Sequence, residues 1–298
     1  MTLSPTFLGI GSARSGSTWL HRALDLHPEV RMSQPKQLQF FDKNILREDL
    51  DWYRSHFAAE EGEDPAPVRG EITPFYCRLH PESVRNIRRL FPDLRIVLTM
   101  RNPIDRIWSN AGLDFHHYGG RDLDSIGIGT FERFACRKRT RLYTDYERII
   151  EIWSTVFGTD AVHVEVFDSI ANEPAQMLRR IFAHIGADPD WIPPAELIER
   201  RVLPEGARRQ EARIPDELRW FIASRWLEPV RRLDAALGGR VTHWVEDLED
   251  AASGGRSSWR LRGHLNELLL SAPERIAYRG YEFLVQRRLR RRWQRLLG

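Results

Sequence analysis

The chain has 298 residues, 42% of them hydrophobic, which is enough to bury a large core, and its formal net charge is only +3. It contains no apolar run of the ~18 residues that a membrane span requires, and its start lacks a secretory signal pattern. Two cysteines, Cys77 and Cys136, are too few for a disulfide framework or a thiolate metal site. These features predict a soluble globular protein of the cytoplasm.

Strand-like and helix-like patterns alternate along the chain. Short β-branched and aliphatic runs predict strands, and apolar residues at helical spacing predict helices. The predicted strands cover residues 7–10, 94–100 and 161–167, and the predicted helices cover residues 19–26, 81–90, 141–157, 177–182 and 215–237, with another beginning at Pro103. This alternation predicts an α/β fold, namely a three-layer sandwich with a central parallel sheet.

The remaining segments suggest where the main domain ends. Residues 59–69 and 119–130 are predicted loops, and residues 251–258 are rich in alanine, glycine and serine, as linkers are. We therefore expect a main domain over residues 1–250 and a linker with a C-terminal helical extension over residues 251–298.

The C-terminal extension predicts a basic amphipathic helix. A helix start is indicated at Ser271 and Pro273, and arginines fill most positions between the apolar ones. The apolar residues at helical spacing are Val285, Leu289, Trp293, Leu296 and Leu297. Such a helix packs on its own domain, grips an acidic partner or lies on an anionic membrane, which would make the protein peripheral to the inner membrane face. The sequence has no aromatic platform for nucleic acid, so we expect no nucleic-acid partner.

A glycine- and serine-rich turn follows the first predicted strand. We name residues 11–18, Gly-Ser-Ala-Arg-Ser-Gly-Ser-Thr, the phosphate loop. Its glycine spacing is that of a P-loop, with Ser17 where a nucleotide hydrolase carries lysine. Small residues let backbone N–H groups turn toward an anion, and the helix that begins near Ser17 adds its positive end. With Arg14 as the cation, the loop predicts a metal-free phosphate site, although a plain tight turn has the same composition.

A second candidate for anion binding lies at residues 101–109, Arg-Asn-Pro-Ile-Asp-Arg-Ile-Trp-Ser, where a predicted strand ends and a helix starts. Ligands of α/β sheets bind at this edge. Arg101 can fork onto a phosphate, and Ser109, about two turns later, can add a hydroxyl from the same side. An arginine before a proline is also a common helix start, so the pattern is weak by itself.

Together, these two segments resemble the donor-binding elements of sulfotransferases that use 3′-phosphoadenosine 5′-phosphosulfate (PAPS). Both occur in the order found in that family, and the resemblance extends over about residues 5–245. It implies that Arg14 stabilises the leaving 5′-phosphate, where the family usually has lysine, and that Arg101 and Ser109 bind the 3′-phosphate. It also implies that PAPS is the co-substrate and that no metal is needed. The residues expected around the 5′-phosphate are Arg14, Ser15, Gly16, Ser17, Thr18 and Trp19.

The acceptor side matches the family less closely. Residues 36–41, Lys-Gln-Leu-Gln-Phe-Phe, which we name the acceptor-side segment, resemble the Lys-Glu-x-His-Phe-Phe of carbohydrate-type members such as heparan sulfate sulfotransferases. In that segment the glutamate is catalytic, and here Gln37 replaces it. A neutral amide cannot act as a general base at ordinary pH. Lys36 is a candidate for contact with the sulfonate or with an acceptor anion.

Three explanations for the missing glutamate remain open. Another residue takes the proton, with Glu71 the first candidate and His116 or His117 the next. Alternatively the acceptor needs little help from a base, or the chain binds PAPS and catalyses poorly.

The sequence therefore predicts a PAPS-dependent sulfotransferase that acts on a hydroxyl or amine of a small-molecule, carbohydrate or lipid-linked acceptor. A PAPS-binding protein with little catalysis and a P-loop nucleotide kinase are the alternatives.

Overall fold

Within residues 4–58, 66–198, 213–255, 259 and 286–297, which the computed structural model describes, five parallel strands form the central sheet. The chain divides into two compact units, the first made of Met1–Met100, Arg148–Pro204 and Val285–Gly298 and the second of Arg101–Glu147 and Glu205–Leu284. The sheet lies entirely in the first unit.

The sheet has the order β2-β3-β1-β4-β5, and every pair of neighbouring strands is parallel. The strands are β1 (Phe7–Gly11), β2 (Val30–Met32), β3 (Val68–Ile72), β4 (Arg95–Met100) and β5 (Val162–Val166). Because the strands are parallel, the ends of β1, β3 and β4 meet at one edge of the sheet, and the phosphate loop follows β1 there.

Both faces of the sheet are covered. Phe7 and Val97 belong to a core that includes Leu20 and Phe182 from two helices, and the alternate residues of β1 and β4 on the other face are also buried. A parallel sheet with both faces buried requires helices on both sides. The prediction of an α/β fold with a central parallel sheet is confirmed.

The helices of the first unit connect or cover these strands. They are α1 (Ser17–Asp25), α2 (Leu50–Ser55), α3 (Pro81–Leu90), α8 (Ser169–Asn172), α9 (Pro174–Ile185) and α10 (Ala195–Ile198), with α7 (Tyr146–Phe157) entering from the second unit. Proline occupies the first turn of α3 and α9, where its missing N–H has no helical partner to lose.

The second unit is helical in its described residues. It contains α4 (Pro103–Ala111), α5 (Ile128–Cys136), α6 (Lys138–Thr144), α11 (Asp216–Ala236) and α12 (Thr242–Ser253), with a π-helical segment, Gly112–His117, directly after α4. The buried Arg106 of α4 donates hydrogen bonds to Thr140 O and Thr144 Oγ1 of α6, at 3.0 Å and 2.7 Å. These bonds fix α4 within the unit.

Three boundaries predicted from the sequence are wrong. The predicted loops at 59–69 and 119–130 overlap β3 and the start of α5, and the predicted linker at 251–258 overlaps the end of α12. The helix predicted over 141–157 is two helices, because the chain leaves helical geometry at Asp145, whose ψ is 72°. The domain division at residue 250 stays a prediction.

Residues 286–297 of the C-terminal extension form a helix, α13. Its Leu289 and Trp293 are buried, and the Trp293 ring stacks on Phe41 with 6.0 Å between ring centroids. Arg292 donates hydrogen bonds to the carbonyl oxygens of Ile45 and Glu48, each at 2.8 Å. The apolar stripe therefore packs on the first unit. The helix start predicted at Ser271 and Pro273 lies outside the described residues, and contact with a membrane surface stays a prediction.

Candidate active site

The phosphate loop leaves the sheet at the end of β1 and is tied to β4. The Ser12 N–H donates to Thr99 O at 2.7 Å, and the Thr99 hydroxyl donates to Gly11 O at 3.1 Å. Two residues of the loop, Arg14 (φ 71°) and Gly16 (φ 82°), adopt left-handed backbone geometry. Alternation of this kind turns backbone N–H groups toward one side, which is how such loops bind anions.

Glycine is required at both ends of this loop. A Cβ on Gly11 would lie 2.5 Å from Pro74 O, and a Cβ on Gly16 would lie 2.2 Å from Ile170 Cδ1. Both glycines also have a positive φ, which other residues adopt at a cost. The loop is thus held between the residues that follow β3 and the start of α8.

Several polar groups of the phosphate loop suit an anion. Ser15 is fully buried, and its Oγ has no hydrogen-bond partner among the described residues. The helix α1 begins at Ser17 after Gly16, so no side chain caps its first N–H groups. Trp19 points elsewhere: its ring is buried in the core and its Nε1 donates to Ile198 O at 2.7 Å. Of Trp19, therefore, only the backbone is a candidate for phosphate binding.

Lys36 lies on the phosphate loop, although its sequence position predicted the acceptor side. Its Nζ donates to Ser17 Oγ at 3.1 Å and to Thr18 Oγ1 at 3.0 Å. Burial, followed by the charges of Arg14 and Arg22, lowers the pKa of Lys36 to about 8. The loop therefore has a lysine close to Ser17, supplied by a segment 19 residues later in the chain.

Glu71, predicted as the general base, is a fully buried carboxylate at the end of β3. Its Oε1 accepts hydrogen bonds from the hydroxyls of Tyr53 (2.9 Å) and Tyr76 (2.8 Å). Its Oε2 accepts from the Thr73 hydroxyl (2.6 Å) and from Leu38 N–H (3.3 Å). Burial raises the pKa of Glu71 to about 7, although these four hydrogen bonds favour the ionised form. This geometry favours a positioning role, and the role of base stays a prediction.

The hydrogen bonds around Glu71 hold the backbone of the acceptor-side segment. Besides Leu38, the Gln39 N–H donates to Thr73 Oγ1 at 3.3 Å, and the Phe40 and Phe41 N–H groups donate to Tyr76 Oη at 2.9 Å and 3.4 Å. Phe40 and Phe41 are fully buried, as expected for core residues. Four successive N–H groups are thus bound by side chains on and after β3, next to the half-buried Gln37.

Arg101 and Ser109 belong to the second unit. Tyr146 fixes the backbone of Arg101, because its hydroxyl donates to Arg101 O at 2.7 Å and accepts from Arg101 N–H at 3.2 Å. Asn102 caps α4 by accepting from Ile104 N–H at 2.9 Å, and its Nδ2 donates to Asp247 at 2.8 Å. Arg101 thus lies directly before a capped helix, and the half-buried Ser109 lies further along the same helix.

The two histidines proposed as alternative bases lie in the π-helical segment of the second unit. Both are exposed. The His116 ring hydrogen-bonds Arg121 O at 3.1 Å through Nδ1, and the His117 ring contacts Tyr118.

The sequence reasoning missed Tyr53, Tyr76 and Thr73, which bind Glu71. Thr73 follows β3 directly, so its position at the strand end was a signal that could have pointed to it. The two tyrosines carry no motif, since their roles depend on contacts between segments far apart in the chain. In the described ranges, no group of three or more His, Cys, Asp or Glu side chains is arranged to hold a metal. No helix there is both long and apolar enough to cross a membrane.

The fold and the loop define an α/β protein with a glycine-rich turn after its first strand, and comparison with known proteins is more specific. Residues 66–193 match the family described as "Sulfotransferase family". A crystal structure of a sulfotransferase from Alicyclobacillus acidocaldarius superposes with a TM-score of 0.63 at 21% identity, over 81% of this chain and 98% of that one. At this identity the superposition shows the fold alone.

Relatives with known activities match at the level of sequence. The membrane-associated sulfotransferase kil1 of Dictyostelium discoideum is 28% identical over 34% of this chain and 21% of its own. The human bifunctional heparan sulfate N-deacetylase/N-sulfotransferase 3 is 24% identical over 63% of this chain and 23% of its own. The chain therefore matches about a fifth of the length of these relatives. Together with the family match, these similarities show that the chain resembles sulfotransferases over much of its length.

Proposed function

We propose that this protein transfers a sulfuryl group from PAPS to a hydroxyl or amine of an acceptor and releases 3′-phosphoadenosine 5′-phosphate. The observation that carries the proposal is the phosphate loop between β1 and α1. It combines uncapped helix N–H groups, the buried Ser15 hydroxyl and the nearby Lys36, all of which suit a phosphate. The match of residues 66–193 to the sulfotransferase family supports sulfuryl transfer as the reaction.

The phosphate loop would hold the 5′-phosphosulfate of the donor. Its N–H groups, the hydroxyls of Ser17 and Thr18, and the charge of Arg14 would neutralise the phosphate as the bond to sulfur breaks. Arginine keeps its charge at any ordinary pH, so Arg14 acts electrostatically. We propose Arg101 and Ser109 for the 3′-phosphate, on the basis of their sequence pattern and the capped start of α4. No metal ion is required by this arrangement.

A carbohydrate is the acceptor class that the relatives favour. Several of them are named for N-sulfation of heparan sulfate, in which the acceptor is an amine on a sugar. Small-molecule and lipid-linked acceptors remain part of the proposal, as does a cytoplasmic location. The glutamine at position 37 favours a second candidate, a PAPS-binding protein with little catalysis.

Calorimetric titration with nucleotides tests the donor. We expect the protein to bind 3′-phosphoadenosine 5′-phosphate at least tenfold more tightly than AMP or ADP, because only the first carries a 3′-phosphate. Arg101→Ala should weaken binding of this nucleotide by about 2 kcal/mol and leave AMP binding unchanged. The exposed Arg121 offers a matched control in the same unit, and Arg121→Ala should change neither affinity. Equal affinities for the three nucleotides in the wild-type protein would refute the proposed donor.

A further inference from the structure

The ammonium of Lys36 contacts Ser17, the sequence position at which the phosphate loop of a nucleotide hydrolase has its own lysine. The two hydroxyls that it contacts belong to the first two residues of α1, at 3.1 Å and 3.0 Å. We propose that Lys36 is a donor-binding residue, which contacts the 5′-phosphosulfate and supplies the lysine that Ser17 does not. This inference rests on the proposed function, since it deepens the assignment of the same site.

The backbone on both sides of Lys36 is fixed by β3. Before it, the Ser33 N–H donates to Gly70 O at 2.9 Å, and after it, the Leu38 N–H donates to Glu71. The Ser33 hydroxyl also donates to Pro35 O at 3.1 Å, within the turn that leads to the lysine. The ammonium is therefore brought to α1 by a backbone that hydrogen bonds to β3 hold in place, and such a fixed group loses less entropy on binding.

The contacts of Lys36 leave the hydroxyls available to a phosphate. An ammonium can only donate hydrogen bonds, so Ser17 Oγ and Thr18 Oγ1 accept from it and keep their own protons. Each hydroxyl can then donate that proton to a phosphate oxygen, while the third N–H of the ammonium reaches the same anion. Lys36 and the two hydroxyls thus form one binding set.

The charges around Lys36 make its contribution measurable. Burial lowers its pKa, and so do Arg14 of the phosphate loop and Arg22 of α1. His21 of α1 also faces it, and burial lowers the pKa of His21, so that its ring is neutral where Lys36 titrates. A bound dianionic phosphate favours the protonated lysine. Donor binding above about pH 8 should therefore take up a proton, whereas arginine does not titrate in this range.

The test measures calorimetric affinity for 3′-phosphoadenosine 5′-phosphate between about pH 7 and pH 9, in buffers of different ionisation enthalpy. For the wild-type protein we expect affinity to fall and proton uptake to rise above about pH 8. Lys36→Met should lower the affinity at pH 7 by about tenfold to a hundredfold and abolish the uptake. Lys36→Arg should retain most of the affinity and lose the pH dependence. Lys43 is exposed, so Lys43→Met serves as the matched control and should behave as wild type.

The outcomes distinguish a failure of the proposed function from a failure of the inference about Lys36. If the wild-type protein does not bind this nucleotide, the proposed function itself fails. If it binds, and Lys36→Met binds equally well or the wild-type uptake above pH 8 is absent, the inference about Lys36 is overturned. Should Lys36→Met fail to fold, as judged by circular dichroism, the proton uptake of the wild type and Lys36→Arg decides the question alone.

Discussion

The phosphate loop and the acceptor-side segment both lie at the strand ends of the first unit, but their polar groups are used differently. In the phosphate loop, the Ser15 hydroxyl has no partner among the described residues and the first N–H groups of α1 have no cap. In the acceptor-side segment, four successive N–H groups are bound by side chains on and after β3. Buried polar groups left open in a native protein are typical of a binding site, whereas saturated ones are typical of a scaffold.

This contrast assigns different tasks to the two segments. In the proposed function the phosphate loop binds the donor, and the acceptor-side segment positions Lys36 and Gln37 from a backbone held by β3. The scaffold itself is supported from outside by α13, whose Trp293 stacks on Phe41. Changes to the scaffold should therefore reduce stability first, and changes to the loop should reduce donor binding first.

The largest effect should come from removing the support that α13 gives. Trp293 is 2% exposed, and Trp293→Ala should lower the free energy of unfolding by about 3–5 kcal/mol, because it leaves a cavity against Phe41. Arg290 in the same helix forms an exposed ion pair with Glu82 at 2.8 Å. Arg290→Ala should cost less than about 1 kcal/mol. Chemical denaturation measures the free energy of unfolding of both variants. Equal losses in the two would show that α13 does not support the acceptor-side segment.

The next effect concerns the charge state of Glu71. Because its pKa is raised to about 7 in the folded protein from 4.5, the folded state binds more protons than the unfolded state between these values. Its contribution to stability is therefore complete below about pH 4.5 and is lost as pH rises through 7, by up to about 3 kcal/mol. Denaturation curves should show that the stability difference between wild type and Glu71→Gln shrinks as the pH rises from about 4.5 through 7.

Glu165 provides a control of opposite sign. It is also fully buried, but its partners are Arg180 at 2.7 Å and His163 at 2.8 Å, and hydrogen bonds with them lower its pKa despite burial. The stability difference between wild type and Glu165→Gln should therefore shrink as the pH falls below the ordinary pKa of a glutamate side chain. A difference for Glu71→Gln that does not change with pH would mean that Glu71 is ionised throughout.

The same variant separates the two roles of Glu71. If Glu71 positions the acceptor-side segment, Glu71→Gln places an amide NH2 among four donors, shifts Lys36 and weakens nucleotide binding. If Glu71 is the general base, the variant loses turnover, and with it the acidic limb of the pH profile, while nucleotide affinity stays unchanged. Full activity with unchanged affinity would leave His116 and His117 as the next candidates.

The local parts of the fold could be predicted from the sequence, and the tertiary contacts could not. The turn after β1 and the helix start at Pro103 are each indicated by glycine, serine or proline within a few adjacent positions. In contrast, β2 has three residues, too few for a periodic pattern, and β3 contains Arg69, Gly70 and Glu71, which do not form an apolar run. Because of this polar composition, the sequence did not predict β3. Its Glu71 carboxylate nevertheless accepts hydrogen bonds from several neighbouring segments.

The candidate site was predicted to a similar extent. The phosphate loop was located because its conformation depends on residues adjacent in sequence. The placement of Lys36 on that loop could not be predicted, because it depends on the pairing of β2 with β3 and on the Glu71 hydrogen bonds. Residue type indicated a cation on the acceptor side, and the structure shows that Lys36 contacts Ser17 and Thr18 of the phosphate loop.

The smallest effect on stability, and the sharpest test of the phosphate loop, compares two glycines with the same backbone geometry. Gly16 (φ 82°, ψ 9°) and Gly186 (φ 85°, ψ 23°) are both left-handed, but a Cβ on Gly186 would meet nothing within 4 Å, whereas one on Gly16 would lie 2.2 Å from Ile170 Cδ1 and 3.2 Å from Phe167. Alanine at either position should cost about 1–2 kcal/mol for its backbone geometry alone.

The difference between the two variants isolates the effect of moving the loop. Gly186→Ala should lose this stability and keep wild-type affinity for 3′-phosphoadenosine 5′-phosphate, because nothing near the loop has to shift. In Gly16→Ala the new methyl group must displace Ile170 or the loop, which would turn the N–H groups and the Ser15 hydroxyl away from the phosphate. We therefore expect a further loss of stability and at least a tenfold loss of affinity in calorimetry. If Gly16→Ala binds the nucleotide as well as Gly186→Ala does, the geometry of the loop around Gly16 does not determine phosphate binding, and the contrast with the acceptor-side segment fails.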